Sequence, residues 1–110
     1  SGVRVGEKLR HYIERRIQFA LGRFGPDIEH VAVRVADTNG PRGGVDKECR
    51  VVVRLRARGN HRIAVDDHDE NVYAAVARAL ARTGRSVARA LERRRDRRTY
   101  PARHVVVVEE

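Results

Sequence analysis

The 110-residue chain contains one cysteine, no methionine, no tryptophan, two phenylalanines and three prolines. A single thiol, Cys49, cannot close an internal disulfide. With no secretory leader pattern either, the expected setting is reducing and cytoplasmic. The absence of methionine predicts an N-terminus that is processed, truncated or rearranged. No apolar run is long enough to span a bilayer, so a membrane partner is not implied. The five histidines are scattered, without the paired spacing of a zinc site, and no acid/base or nucleophile constellation stands out. No enzyme, metal or cofactor and no small-molecule substrate is therefore expected.

What the chain does contain is positive charge. Of its 24 basic residues only Lys8 and Lys47 are lysines, and the net charge is +9 with a pI of 11.1. Arginine in excess favours planar, bidentate contacts with phosphate, which makes nucleic acid the first partner to consider. The length fits one domain over residues 1–110.

Apolar periodicity divides the chain into helix, three strands, helix and a terminal strand. From Gly6 to Phe24, Leu9, Ile13, Ile17, Ala20 and Phe24 recur at helical spacing, and "GPD" at Gly25 to Asp27 stops the run. Val31, Val33 and Val35 alternate with Ala32, Arg34 and Ala36, the period of a half-buried strand. Cys49, Val51, Val53, Leu55 and Ala57 alternate with Arg50, Val52, Arg54, Arg56 and Arg58, which gives a second strand an apolar face and an arginine-rich face. Gly59 and Asn60 turn the chain into a shorter strand carrying Ile63 and Val65. Cys49, on the apolar face, is expected to be an inert core residue.

Residues 66–95 read as the second helix. At about 100° per residue, Val72, Val76, Leu80, Thr83, Val87, Ala90 and Leu91 share one side, while Arg78, Arg82, Arg85, Arg89 and Arg93 occupy an arc roughly opposite. A solvated helix face usually mixes charges of both signs. Here only Glu92 and Asp96 interrupt seven arginines between Arg85 and Arg98, and a phosphate-rich partner would relieve that repulsion. The acidic cluster "DDHDE" at Asp66 to Glu70 could suggest a metal site, but its position predicts helix capping by Asp67 or Asp69.

Between the first two strands lies "NGPRGGVDKECR", Asn39 to Arg50. It joins strand to strand and lacks the Lys-Ser/Thr ending of a P-loop. Two readings remain for it, a passive connection or a basic loop whose Arg42 and Lys47 order on a partner.

"DTNGPRGGVDKECRVVVRL" followed by "DENVYAAVARAL" resembles the ribosome hibernation-promoting factor family, also called ribosome-associated inhibitor or sigma-modulation proteins. The resemblance covers roughly Val3 to Arg95 and includes the Tyr-Ala-Ala-aliphatic segment at Tyr73 to Val76. It implies an α+β fold of βαβββα type, with both helices on one sheet face. It also implies a non-enzymatic translation inhibitor that binds small-subunit rRNA near the decoding region, in the channel of messenger and transfer RNA, under stress or in stationary phase. Proposed phosphate contacts are Arg78, Arg82, Arg85, Arg89 and Arg93, with Lys8, Arg15, Arg42 and Lys47 as secondary ones. The competing reading is a protein-interaction module that regulates a transcription or translation factor through the same basic surface.

Three departures from the family pattern stand out. Ala77 follows the Tyr-Ala-Ala-aliphatic segment where a polar residue is usual, no second domain follows, and the first strand has no room before Val3. "HVVVVEE" at His104 to Glu110 supplies a strand signal that would be an aggregation-prone edge if left exposed. Residues 96–110 are accordingly expected to be a linker plus a strand, Val105 to Val108, in the vacant first-strand slot parallel to the Val31 to Val35 strand. Within one chain this return would form a left-handed crossover, which is rare. That rule favours a place beside the Ile63 to Val65 strand, or exchange of the strand between two copies, giving a homodimer.

Overall fold

A computed structural model describes residues 5–38, 47–56, 61–94 and 105–109. Helix α1 (Glu7–Leu21) leads through a short 3-10 segment (Gly22–Asp27) into β1 (Ile28–Asp37); β2 (Lys47–Leu55), β3 (Arg62–Asp69), α2 (Val72–Arg94) and β4 (Val105–Glu109) follow. The strands form one sheet in the order β3-β2-β1-β4. β1 pairs antiparallel with β2 and β2 with β3, whereas β4 runs parallel to β1 and aligns Val106 with Val31 and Val108 with Val33. The C-terminal valines thus cover the open edge of β1, as their sequence predicts.

The period-2 pattern puts Val31, Val33, Val35, Cys49, Val51, Val53, Leu55, Ile63 and Val65 on one face of the sheet, all buried. Both helices press their apolar stripes onto that face: Leu9, Ile13, Ile17 and Leu21 from α1, and Ala75, Val76, Ala79, Leu80, Val87 and Ala90 from α2. Each fully buried Val, Leu or Ile contributes about 1.5–3 kcal/mol, which makes this shared core the main source of stability. Thr83 is buried with it, and its hydroxyl donates to the Ala79 carbonyl at 2.7 Å.

The two helices run in the same direction, since Tyr12 meets Tyr73 edge-on at 4.9 Å and Ala20 meets Gly84 further along. Gly84 is what allows the close approach. A Cβ at that position would lie 2.9 Å from the Ala20 carbonyl oxygen, a backbone atom that cannot move aside without shifting α1.

Several boundaries differ from the sequence expectation, and β2 begins at Lys47 rather than Cys49 and ends at Leu55. α1 ends at Leu21 rather than Phe24, because the Gly22 to Asp27 segment with Pro26 tightens into 3-10 turns. β1 begins at Ile28, three residues before the valine alternation. The largest correction concerns the acidic cluster. Asp66 to Asp69 do not open α2; they extend β3, where Arg50 lies opposite Asp66 and Glu48 opposite His68. Those cross-strand partners hold the acidic residues in the ladder. The predicted capping by Asp67 or Asp69 is replaced by Asn71, whose Oδ1 accepts the Tyr73 N–H at 2.8 Å, while Asp69 accepts the Asn71 N–H at 2.9 Å. The glycine-rich loop at 39–46, including Arg42, the turn at Gly59 and Asn60 with Ala57 and Arg58 before it, and the linker at 96–104 lie outside the described residues.

Candidate nucleic-acid interface

The arginine arc of α2 lies on its exposed side: Arg78, Arg82, Arg85, Arg89 and Arg93 are all solvent-accessible, opposite the buried stripe. The structure divides this arc in two. In the first half, the end of β3 lies beside the first turns of α2. Arg78 donates from Nε to Asp67 at 2.9 Å and from Nη2 to the His68 carbonyl at 2.7 Å and to Asp69 at 3.2 Å. Arg82 donates from Nη1 to the Asp66 carbonyl at 2.8 Å and to the second oxygen of Asp67 at 3.1 Å. One carboxylate, Asp67, therefore bridges two arginines.

That geometry sets the protonation of the acids. Burial pushes the Asp67 carboxyl upward, but hydrogen bonds from Arg78, the His68 N–H and Arg82 outweigh it and leave the group below its ordinary value. Asp69 is lowered too, chiefly by the Asn71 N–H and then by Arg78. Both are charged at neutral pH and compensate much of the charge of Arg78 and Arg82.

The second half of the arc is different. Among the described residues, Arg85, Arg89 and Arg93 have no carboxylate within ion-pair distance, and Arg89 makes a 3.4 Å contact with the Ser86 hydroxyl. These three positions are spaced four residues apart and climb α2 with positive charge that, among the described residues, no ion pair compensates. They are the part of the arc that can meet an external anion without first breaking an internal ion pair.

The secondary positions are spread over the molecule. Lys8 and Arg15 are exposed on α1, seven residues apart and so on one side of it, and the Arg15 guanidinium lies 5.9 Å from the Tyr12 ring centre. Lys47 opens β2 and pairs with Asp37 at 3.4 Å, across the base of the glycine-rich loop. The sheet face away from the helices carries further arginines. Arg50 there is joined to Asp66 by two contacts, at 2.9 and 3.0 Å, while Arg34, Arg54 and Arg62 are exposed.

Sequence reasoning missed a groove between the end of α1 and the middle of α2. Its floor is made of small residues, Ala20, Gly84 and Ala88, and its rim carries Arg23, Arg85 and Arg89. Phe19 stands at its edge, 80% exposed, with the Arg16 guanidinium 5.0 Å from its ring centre. A signal for it exists in the sequence. Phe19 lies with Lys8 and Arg15 on the side of α1 turned away from Leu9, Ile13 and Ile17, beyond the reach of the Tyr12–Tyr73 contact, so this aromatic has no core to serve.

Cys49 is fully buried, and desolvation, aided by the charges of Asp67, Asp66 and Glu48, pushes its thiol up to about 12. It is a neutral core residue rather than a nucleophile. Among the described residues, no group of three or more His, Cys, Asp or Glu side chains is arranged to hold a metal ion, and no helix is long and apolar enough to cross a membrane.

These elements define an α+β protein with two co-directional helices on one face of a mixed four-stranded sheet, the second of them carrying an arginine arc on its exposed side. The chain belongs to the sigma 54 modulation protein / S30EA ribosomal protein family, whose model matches residues 1–95. Among solved structures it is similar to the N-terminal domain of Protein Y from Thermus thermophilus, with 21% identity, 80% of this chain and 88% of that chain covered, and a TM-score of 0.53. At that identity the likeness concerns the fold. No curated protein matches the chain.

Proposed function

We propose that this protein is a non-enzymatic, ribosome-associated hibernation factor that binds small-subunit rRNA near the decoding region and occludes the channel of messenger and transfer RNA under stress or in stationary phase. Family membership supports ribosome association. The observation that carries RNA as the ligand is the run of Arg85, Arg89 and Arg93, uncompensated by acids among the described residues. Phosphate neutralises such a run and releases counterions as it does so. Arg78 and Arg82 join this surface once a phosphate displaces Asp67. Lys8 and Arg15, with Arg42 and Lys47 at the loop, add contacts at its margins. Residues 1–110 act as one ribosome-binding unit in this reading.

Co-sedimentation with isolated small and large ribosomal subunits tests it. The wild-type chain is expected to pellet with small subunits, with log Kd rising by about 0.7–0.9 per phosphate contact for each tenfold increase in salt. Arg85→Glu combined with Arg89→Glu is expected to leave the protein in the supernatant with its melting temperature almost unchanged, since both sites are exposed. Failure of the wild type to pellet with small subunits, or unchanged pelleting of the double variant, would refute the proposal. Binding that is insensitive to salt would instead favour a protein partner.

A further inference from the structure

We infer that the groove between α1 and α2 is a stacking site for one unpaired RNA base, with Phe19 as its platform. The inference rests on RNA being the ligand and adds the form of RNA recognised, a strand with an accessible base rather than a continuous duplex.

Three observations converge on this site. First, an 80% exposed phenylalanine contributes nothing to the core, and it is the most exposed large apolar side chain among the described residues. Arg16 lies against its ring at 5.0 Å, which leaves a flat apolar surface flanked by positive charge. Second, the space beside the ring is concave. Where Gly84 lets the helices meet, the small side chains of Ala20, Ala81 and Ala88 leave a hollow along the surface of the contact, with a volume of about 420 Å³. That lies within the roughly 300–1,000 Å³ of sites that take small ligands. Third, the rim continues the arginine run. Arg85 and Arg89 belong both to the groove and to the uncompensated half of the α2 arc, and Arg23 faces them from the end of α1. Glu92 is the sole acid of the lining.

This combination selects its occupant by charge and shape. A phosphate chain following Arg89 and Arg85 along α2 passes the mouth of the groove, so a base attached to it can turn inward and lie on Phe19. Proteins that hold single-stranded nucleic acid pair a cationic track with aromatic platforms in this way, because every base presents a π face. A base already stacked and paired in a duplex cannot reach the ring.

The chain contains no tryptophan, so Phe19→Trp places one fluorophore at the site. Binding of the wild type, Phe19→Ala and Phe19→Trp is measured against isolated small subunits, a single-stranded oligouridine and a duplex of equal length. Phe19→Ala is expected to weaken binding to subunits and to the single strand by about tenfold or more, with the melting temperature unchanged. Its salt slope should also stay the same, because the phenyl ring meets a base and no phosphate. Phe19→Trp is expected to bind like the wild type, with fluorescence quenched by the single strand and not by the duplex. If the wild type binds subunits and Phe19→Ala binds them equally well, the inference falls while the RNA reading stands. If Phe19→Ala loses affinity for subunits but not for the single strand, the groove takes a protein and the inference falls again. If the wild type binds neither subunits nor oligonucleotide, the RNA reading itself is overturned.

Discussion

At Asp67, burial and hydrogen bonding act on one carboxyl group in opposite directions, and the hydrogen bonds prevail. Its folded pKa lies below the unfolded value of about 3.9. The charge therefore contributes stability that is fully present above pH 4 and is lost as the pH falls through the folded value. In wild-type protein the melting temperature should be flat near neutrality and fall below pH 4; Asp67→Asn should be less stable at pH 7 and show a shallower acid decline. The same substitution removes the carboxylate that holds Arg78 and Arg82. Affinity for small subunits at low salt should consequently rise several-fold, with a steeper salt dependence, if both arginines then reach phosphates. A titration of affinity against salt for the two proteins checks this. At Cys49 the expectation runs the other way. With its thiol pushed up to about 12 and no exposure, the folded protein should resist alkylation at pH 8, and Cys49→Ser should lower stability by about 1–3 kcal/mol through a buried hydroxyl while leaving subunit binding intact. Rapid labelling of the native protein would contradict that assignment.

Between elements, the contact of α1 with α2 depends on Gly84. Gly84→Ala gains about 1 kcal/mol of helix propensity but forces a methyl group against the Ala20 carbonyl, and the resulting shift of a packed helix costs about 1–3 kcal/mol. A net loss in urea denaturation is expected, larger for Gly84→Val, and both variants should widen the groove at Phe19. A stabilised Gly84→Ala protein would mean that the helices separate freely. How much of this was visible in the sequence follows from the reach of each interaction. The alternation of Val31, Val33 and Val35 and the stripe from Val76 to Ala90 are local patterns, so the strand, the helix and their buried faces could be read directly. Asp66 to Asp69 were misplaced because their residue types suit a helix start, whereas the partners that keep them extended, Glu48 and Arg50, lie on another strand. For the same reason Arg78 and Arg82 looked equivalent to Arg85, Arg89 and Arg93. Only the position of β3 beside α2 separates the compensated arginines from the others. The groove needs two helices at a fixed separation, and α1 alone signals only an aromatic, Phe19, on its outward side.

For the whole molecule, β4 is the element on which the sheet edge depends. It pairs with β1 from His30 to Arg34, and Val108 packs on the core. Deleting residues 105–110 should expose those backbone groups, lower the thermal midpoint and raise light scattering on heating. The mass of the intact protein in solution bears on the origin of the strand: a monomer fits a tail folded on its own sheet, and a dimer that reverts to monomer on truncation fits exchange between copies. An unchanged midpoint in the truncated protein would show that the edge needs no cover. The co-directional helices carry a further consequence. Because α1 and α2 point the same way, their backbone dipoles add, with both positive ends at one pole of the protein and both negative ends at the other. Side-chain charge is graded in the opposite sense: Glu7 and the acids from Asp66 to Glu70 gather near the helix starts, and Arg23, Arg89 and Arg93 near the helix ends. Side chains and backbone thus partly cancel at the helix starts, while the arginines at the helix ends stand out on a chain whose net charge is +9. A polyanion approaching from a distance exerts a torque on such a molecule and turns the ends of the helices toward itself before contact. The rate of productive encounter should therefore fall steeply once salt shortens the Debye length to about 10 Å or less.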